Sequence, residues 1–573
     1  MKPTGKKDRE MRRARKAGVV LCCVAAVMMN AGWAADPAPA PASAPGAESS
    51  AELRRLKTQL DEQRKQIEQL LATVEAQGKL LQKIGATADA TDHNTPRNPS
   101  LIASTAPMLA PPSATPATTQ QAVAAAAAAA PASSPLQLKI GDTTIMPIGF
   151  MDLTAVWKDK NAGGSLGSSF GSIPYNSAAT SKLSEFRFSP QNSRLGFRVD
   201  GNWKGAHFIG YNEFDFLGTS GSNNLSVTNG AFVPRIRLYW VDVRKDKFEF
   251  LAGQSWSMLT PNRKGISALP GDLFYSQVID VNYMAGLTWT RQPGVRFLYH
   301  PSNQVTMGIS LENPDQYMGG SAGGSTTVLP ASLTGLAGTQ LDNQTNVQTT
   351  PNLHPDIIGK IAFDPSSRAH VEFAGIFRTF KLWNTTTGQP TSGQYSTKSG
   401  GGGSVNANFE IVKNVRLVTN NYWSDGGGRY LFGQSPAVVV RADGSVSPIH
   451  SGGTVDGIEA VVNKNTLLYA YYGGIYVGRN VVVDANGTSL VGYGYRGSAN
   501  SQNRAIQEVS IGFNQTLWKD AKYGALNFMG QYEYLMRAPW YWAANVAGGK
   551  GTHDNTIYFN FRYTLPGGAP AVK

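Results

Sequence analysis

Arg235 and Arg237 stand two residues apart in the run RIRLYWVDV, residues 235–243. Successive side chains of a strand point to opposite faces, so Arg235, Arg237, Tyr239 and Val241 share one parity and Ile236, Leu238, Trp240 and Asp242 the other. Two guanidinium groups about 7 Å apart attract anions, and their planar forks suit the paired oxygens of a carboxylate. The same alternation sets Arg194 and Arg198 opposite Leu195, Phe197 and Val199. Arg378, Arg504, Arg537 and Arg562 follow the same rule, and so do Glu213, Asp215, Glu372, Glu508 and Glu533. This is chemistry for binding and passing ions. Catalytic patterns are poorly supported by comparison. Gly167, Ser169 and Gly171 match G-x-S-x-G but lie in a Gly/Ser loop without the strand, turn and helix of a nucleophile elbow. The seven histidines show no metal-ligand spacing, and SGGGGS (399–404) lacks the Gly-Lys-Ser/Thr of a phosphate loop. The sequence therefore predicts no enzyme, no metal and no cofactor.

The surroundings of these charges follow from the organisation of the chain. Eight Lys/Arg residues precede an apolar run from Ala17 to Met29, and Gly32-Trp33-Ala34 supplies a small-x-small cleavage pattern, so residues 1–34 read as a secretory signal. Both cysteines, Cys22 and Cys23, lie in that run, and the mature chain is expected to lack thiols. A Pro/Ala-rich lead covers 35–50. From 51 to 84 a heptad runs without a slip through Leu53, Leu56, Leu60, Gln63, Ile67, Leu70, Val74, Gln77, Leu81 and Ile84. A stripe of two positions in seven is too narrow to cover a globular core and predicts a coiled coil. Residues 85–136, rich in Ala, Pro, Ser and Thr, form a linker that cannot bury enough apolar surface to order itself. Residues 137–573 carry 36 Lys/Arg against 28 Asp/Glu, spread singly among strands, and nucleic acid is excluded as a partner.

That last region repeats segments of about ten residues in which one parity is apolar, such as Met151, Leu153, Ala155 and Trp157, or Ile557, Phe559, Phe561 and Tyr563. Tight turns at 202–205, 244–247 and 519–524 alternate with long connections near 160–184, 313–354, 382–397, 425–450 and 480–503. Alternating short and long connections, with aromatic residues gathered at strand ends, predict an all-β transmembrane barrel of about 16 antiparallel strands. An arginine on its lipid side near the midplane would cost roughly 2 to 4 kcal/mol, and a wet lumen removes most of that cost. The arginines are therefore expected to line a lumen of mixed charge with a basic bias.

The heptad segment followed by a barrel, together with FEFLAGQSWSML (248–259), TRQPGVRFLY (290–299), YGALNFMGQYEYLMRAPW (523–540) and IYFNFRYTLP (557–566), resembles the DcaP-like porins. The resemblance covers the chain from about residue 51 onward. It implies a homotrimer of 16-stranded barrels in a Gram-negative outer membrane, surrounded by lipid and lipopolysaccharide, with the coiled coil in the periplasm. It also implies a third extracellular loop folded into the lumen. That loop is similar to Ser257–Gln277 here, which makes Arg263, Lys264 and Asp272 constriction candidates. The solutes implied are small anions, carboxylates and dicarboxylates. The rival expectation is an envelope structural protein whose barrel is an anchor and whose stalk contacts the cell wall.

Overall fold

The computed structural model describes Lys65 and residues 135–566, except 163–165, 219–231, 321–324, 345–349, 387–388, 500 and 543–550. The chain divides into two units, Met1–Asn98 and Pro99–Lys573. In the first, Lys65 is helical and exposed. The expected signal, the seam residues from Leu53 to Ile84 and nearly all of the linker lie outside the described residues.

In the second unit sixteen long strands close a single antiparallel ring. They are β1 Thr143–Lys158, β2 Arg194–Trp203, β3 Ala206–Gly218, β4 Val233–Lys245, β5 Phe248–Trp256, β6 Arg291–Ser302, β7 Val305–Glu312 and β8 Asp356–Ser366. The second half comprises β9 Ala369–Thr386, β10 Gln389–Val412, β11 Val415–Asp425, β12 His450–Asn463, β13 Thr466–Val477, β14 Asn503–Asp520, β15 Gly524–Pro539 and β16 Thr552–Thr564. Each strand pairs with the next, and β16 returns to β1 from Phe150↔Thr564 to Lys158↔Thr556. Closure satisfies the backbone groups that an open edge would expose to lipid. On its other side β1 pairs with β2 below and with the short strand Glu185–Ser189 above.

Alternation in the sequence becomes a barrel because its two faces meet different surroundings. Leu153, Phe197, Val241, Ile309, Phe373 and Phe559 are exposed on the outer wall, whereas Asp152, Arg198, Ser310, Glu372 and Asn560 are buried. That order inverts a water-soluble protein and suits an apolar solvent outside. At one end the strands turn tightly. Lys204 and Gly205 take φ values of 47° and 78°, the double left-handed pair of a type I′ hairpin. At the other end the connections are long, and Tyr317, Leu341 and Val438 of two of them pack on Phe380 and Leu382 at the top of β9.

Three local expectations are corrected. In β4, Glu213 pairs with Leu238 but Phe214 pairs with Ile236, which leaves Arg237 as the extra residue of a β-bulge. Arg237 and Leu238 are therefore both buried, Trp240 and Asp242 join them, and Ile236, Tyr239 and Val241 face outward. The strict parity of RIRLYWVDV breaks at Arg237. The expected long loop at 382–397 is instead an extension of the β9–β10 ladder, paired from Lys381↔Thr397 to Thr385↔Gly393. Arg504 is exposed and lies over the ring of Trp540, because a register shift between Asn503 and Ala505 puts Asn503 on the buried face in its place.

Candidate functional site

Arg235 and Arg237 meet the carboxylates of the neighbouring strand. Arg235 donates through Nε and Nη2 to the two oxygens of Asp215, at 3.0 and 2.7 Å. Arg237 donates to Glu213 and to Asp215, both at 2.7 Å, and to the Tyr283 hydroxyl at 3.0 Å. Arg194 adds a 3.7 Å contact with Glu213 and a 3.3 Å bond to Tyr283. The bulge leaves Arg237 on the buried face together with Leu238. The pair that the sequence placed on a lumen face is thus held by carboxylates of its own wall, and of the two Arg235 stays partly exposed.

Most of the other expected arginines are held in the same way. Arg198 bonds Asp200 at 2.6 and 2.7 Å, and Arg562 bonds Asp152 at 3.0 and 2.8 Å. Arg378, fully buried, bonds Asp356 at 2.9 Å and the carbonyl oxygens of Gly426 and Asp315. Arg537 donates to the Ile173 carbonyl and to Asn503 Oδ1, and stands 4.2 Å from the centre of the Tyr175 ring. The structure adds carboxylates and cations not singled out from sequence, notably Asp152, Asp356, Glu459 and Lys360, which forms a fully buried pair with the expected Glu372 at 2.7 Å. Lys360 and Glu459 could have been found by the same parity rule, since Ile361 and Ile458 flank them. Arg291 could not. It enters β6 beside Pro293, where no clean alternation reads through.

The connection between β5 and β6, residues 257–290, bonds to many strands. Met258 N–H donates to Glu312 of β7 at 2.8 Å, and Lys360 of β8 donates to the Thr260 carbonyl at 2.9 Å. Arg263 forms a two-pronged pair with Glu459 of β12 at 2.8 and 2.7 Å. Gly265 N–H donates to Asp364, Ile279 N–H to Gln531 of β15, Ala285 N–H to Glu508 of β14 and Thr288 N–H to Asn420 of β11. These contacts continue to Trp289, beyond the Ser257–Gln277 span expected from sequence. Of the three constriction candidates, Arg263 is paired, Lys264 is exposed, and Asp272 accepts the Ser267 hydroxyl at 2.6 Å. Burial raises the Asp272 carboxyl above its ordinary range, against the Ser267 bond.

Glycine lets this segment lie against the wall. Gly286 has φ +88°, and a Cβ there would sit 2.4 Å from the carbonyl oxygens of both Gly474 and Thr454. Opposite it, a Cβ on Gly473 would fall 2.1 Å from the Ala285 carbonyl oxygen, and one on Gly453 2.5 Å from that of Gly286. The segment and the β12–β13 wall touch backbone to backbone.

Comparison with known proteins decides the architecture. No protein-family model and no curated protein matches the sequence. Among solved structures, the outer membrane channel DcaP of Acinetobacter baumannii aligns with a TM-score of 0.52 at 16% identity, over 74% of this chain and 99% of that chain. This chain has the DcaP-like porin fold. The anion-selective porin from Comamonas acidovorans aligns at 11% identity over 74% and 100% of the two chains, with a TM-score of 0.41. OmpF of Salmonella typhi aligns at 10% identity over 74% and 100%, with a TM-score of 0.42. In this porin-fold barrel, ion pairs line the inner wall, and the 257–290 segment bonds to residues of that inner parity.

Proposed function

We propose that the protein is an outer-membrane porin that passes small anionic solutes, carboxylates and dicarboxylates included, through a lumen narrowed by the 257–290 segment. It works as a homotrimer, with the 51–84 coiled coil in the periplasm and the long connections outside the cell. The observation that carries the anion preference is which charges are left over once pairs are formed. Among the described residues of the 257–290 segment and the inner wall beside it, Lys264 and Arg416 have no carboxylate within ion-pair distance and are exposed or half-exposed, while Arg291, also without one, has its Nη1 buried. Asp242, Asp280, Glu312, Glu508 and Glu533 also lack a cation within 4 Å, but they are buried. Within reach of water Lys264 and Arg416 stand against one half-exposed carboxyl without a cation partner, that of Asp272, so the balance there is cationic and a passing carboxylate gains from it.

Single-channel recording in planar bilayers tests this reading. A reversal potential of anionic sign in a KCl gradient, with current reduced by added dicarboxylate, is the expected result. Cation preference would overturn it. The rival reading, a barrel that anchors a stalk to the cell wall, draws on the dense inner wall, where Arg237, Arg378 and Glu508 are each 2% exposed or less. A barrel that inserts and carries no current would support the anchor.

A further inference from the structure

On the outer wall, β5 to β9 enclose an apolar groove of about 610 Å³. Phe248, Phe297, Tyr299, Ile309, Ile361 and Phe373 line it, and Gly359 forms part of its floor. Phe248 and Tyr299 stack at 5.2 Å beside the tight-turn end, and Gly359 pairs with Ile309 higher up the wall. The groove thus starts at the turns and runs toward mid-wall. A Cβ built on Gly359 meets nothing within 4 Å, so the floor is open rather than filled from inside.

Its lower end carries a net positive charge. Lys245 and Lys247 are exposed in the turn that leads into Phe248, on either side of the exposed Asp246, and Arg368, exposed at the β8–β9 turn, lies 3.7 Å from Glu410. Farther round the same rim, Lys204, Lys413 and Lys464 are exposed at three more turns. In an outer-membrane barrel the tight turns face the periplasm, so this rim lies at the level of the inner-leaflet phosphates. We propose that the groove holds one acyl chain of an anionic glycerophospholipid of the periplasmic leaflet, with its phosphodiester at Lys245 and Lys247. The proposal rests on the outer-membrane reading of the barrel and not on conduction.

Charge selects this occupant over a second copy of the chain. A second copy seated here by a two-fold axis would set the same Lys245 and Lys247 against each other, whereas a phosphodiester is attracted to them. Lipid tails are as apolar as the groove, so greasiness alone selects nothing. Shape at Gly359 and charge at the turn must do so, and each Lys near an anionic headgroup strengthens binding on the order of fivefold.

Native mass spectrometry of the full chain, delipidated and titrated with phosphatidylglycerol or phosphatidylethanolamine, tests the site. The expected result is tighter retention of phosphatidylglycerol, lost in Gly359→Leu, which fills the floor. The double variant Lys245→Gln/Lys247→Gln should weaken phosphatidylglycerol binding on the order of tenfold or more and leave phosphatidylethanolamine unchanged. Because those two lysines are exposed turn residues, this variant gives a reading even where Gly359→Leu fails to fold. Equal retention of the two lipids by the parent overturns the proposal. So does unchanged phosphatidylglycerol binding in the double variant. Loss of the oligomer in Gly359→Leu with lipid retention intact would identify a second copy as the occupant and also overturn it.

Discussion

Replacing Gly286 by Ala tests whether the 257–290 segment is held against the wall by backbone contact. At φ +88° a side chain is strained by about 1 to 2 kcal/mol. The new methyl would also sit 2.4 Å from two carbonyl oxygens, Gly474 on β13 and Thr454 on β12, which their own ladders hold in place. Relieving that overlap costs about 1 to 3 kcal/mol more. Against this stand the nearby bonds Ala285 N–H to Glu508 at 2.8 Å, Thr288 N–H to Asn420 at 3.0 Å and Trp289 N–H to the Tyr430 carbonyl at 3.0 Å. At about 1 kcal/mol each they offset about 3 kcal/mol, the same size as the strain. The segment is expected to lift between Met284 and Trp289 while the barrel stays closed. Hydrogen exchange followed by mass spectrometry should show these amides exchanging at least about 30-fold faster, the equivalent of about 2 kcal/mol. Heat-modifiable migration on gels reports that the barrel is intact. Gly473→Ala pushes on the Ala285 carbonyl from the wall side and should do the same. Unchanged exchange in both variants would refute the account of the contact.

Arg235→Gln with Arg237→Gln strands Asp215 in a buried site and leaves Glu213 only its 3.7 Å contact with Arg194, and the cost is expected to be on the order of 3 to 5 kcal/mol, read as lower thermal stability. Adding Glu213→Gln and Asp215→Asn should recover most of it, and a double arginine variant as stable as the parent would show that the pairs do not matter. Lys264→Glu is an exposed change that should leave stability within about 0.5 kcal/mol and reduce anion preference in a KCl gradient; preference that does not move would remove Lys264 from the ion path. Burial raises the Asp280 carboxyl above its ordinary range, against its bonds from Asn282 and Ser168 and the charge of Lys158. Glu508 and Glu533 face the same group. The folded state then holds more protons than the unfolded one from about pH 4 upward to the raised value, so anchoring at Ser168 and Asn282 should weaken as pH rises through that window. Amide exchange there, corrected for its intrinsic pH dependence, should show this, and Asp280→Asn should flatten it. Deleting residues 51–84 should leave a trimer of barrels with lower assembly yield, and a monomer by native mass measurement would assign the oligomer to the coiled coil.

Much of the barrel was legible in the sequence because alternation is local. Phe197 outward and Arg198 inward, or Phe561 outward and Arg562 inward, need only the two-residue period of a strand and a contrast between lipid and interior. The tight turn at Lys204-Gly205 was legible for the same reason. What could not be read depends on register and on distance along the chain. A single extra residue at Arg237 or near Arg504 reverses the faces that follow it, and no period announces where a bulge falls. That Arg263 finds Glu459, or that Ala285 and Gly286 rest on Gly473 and Gly453, joins residues far apart along the chain. The sequence by itself determined that charged side chains face inward from a closed sheet. Only the tertiary structure decided that most of them are spent on one another, because whether a charge is paired depends on what the fold brings within about 3 Å of it, and composition carries no information on that distance.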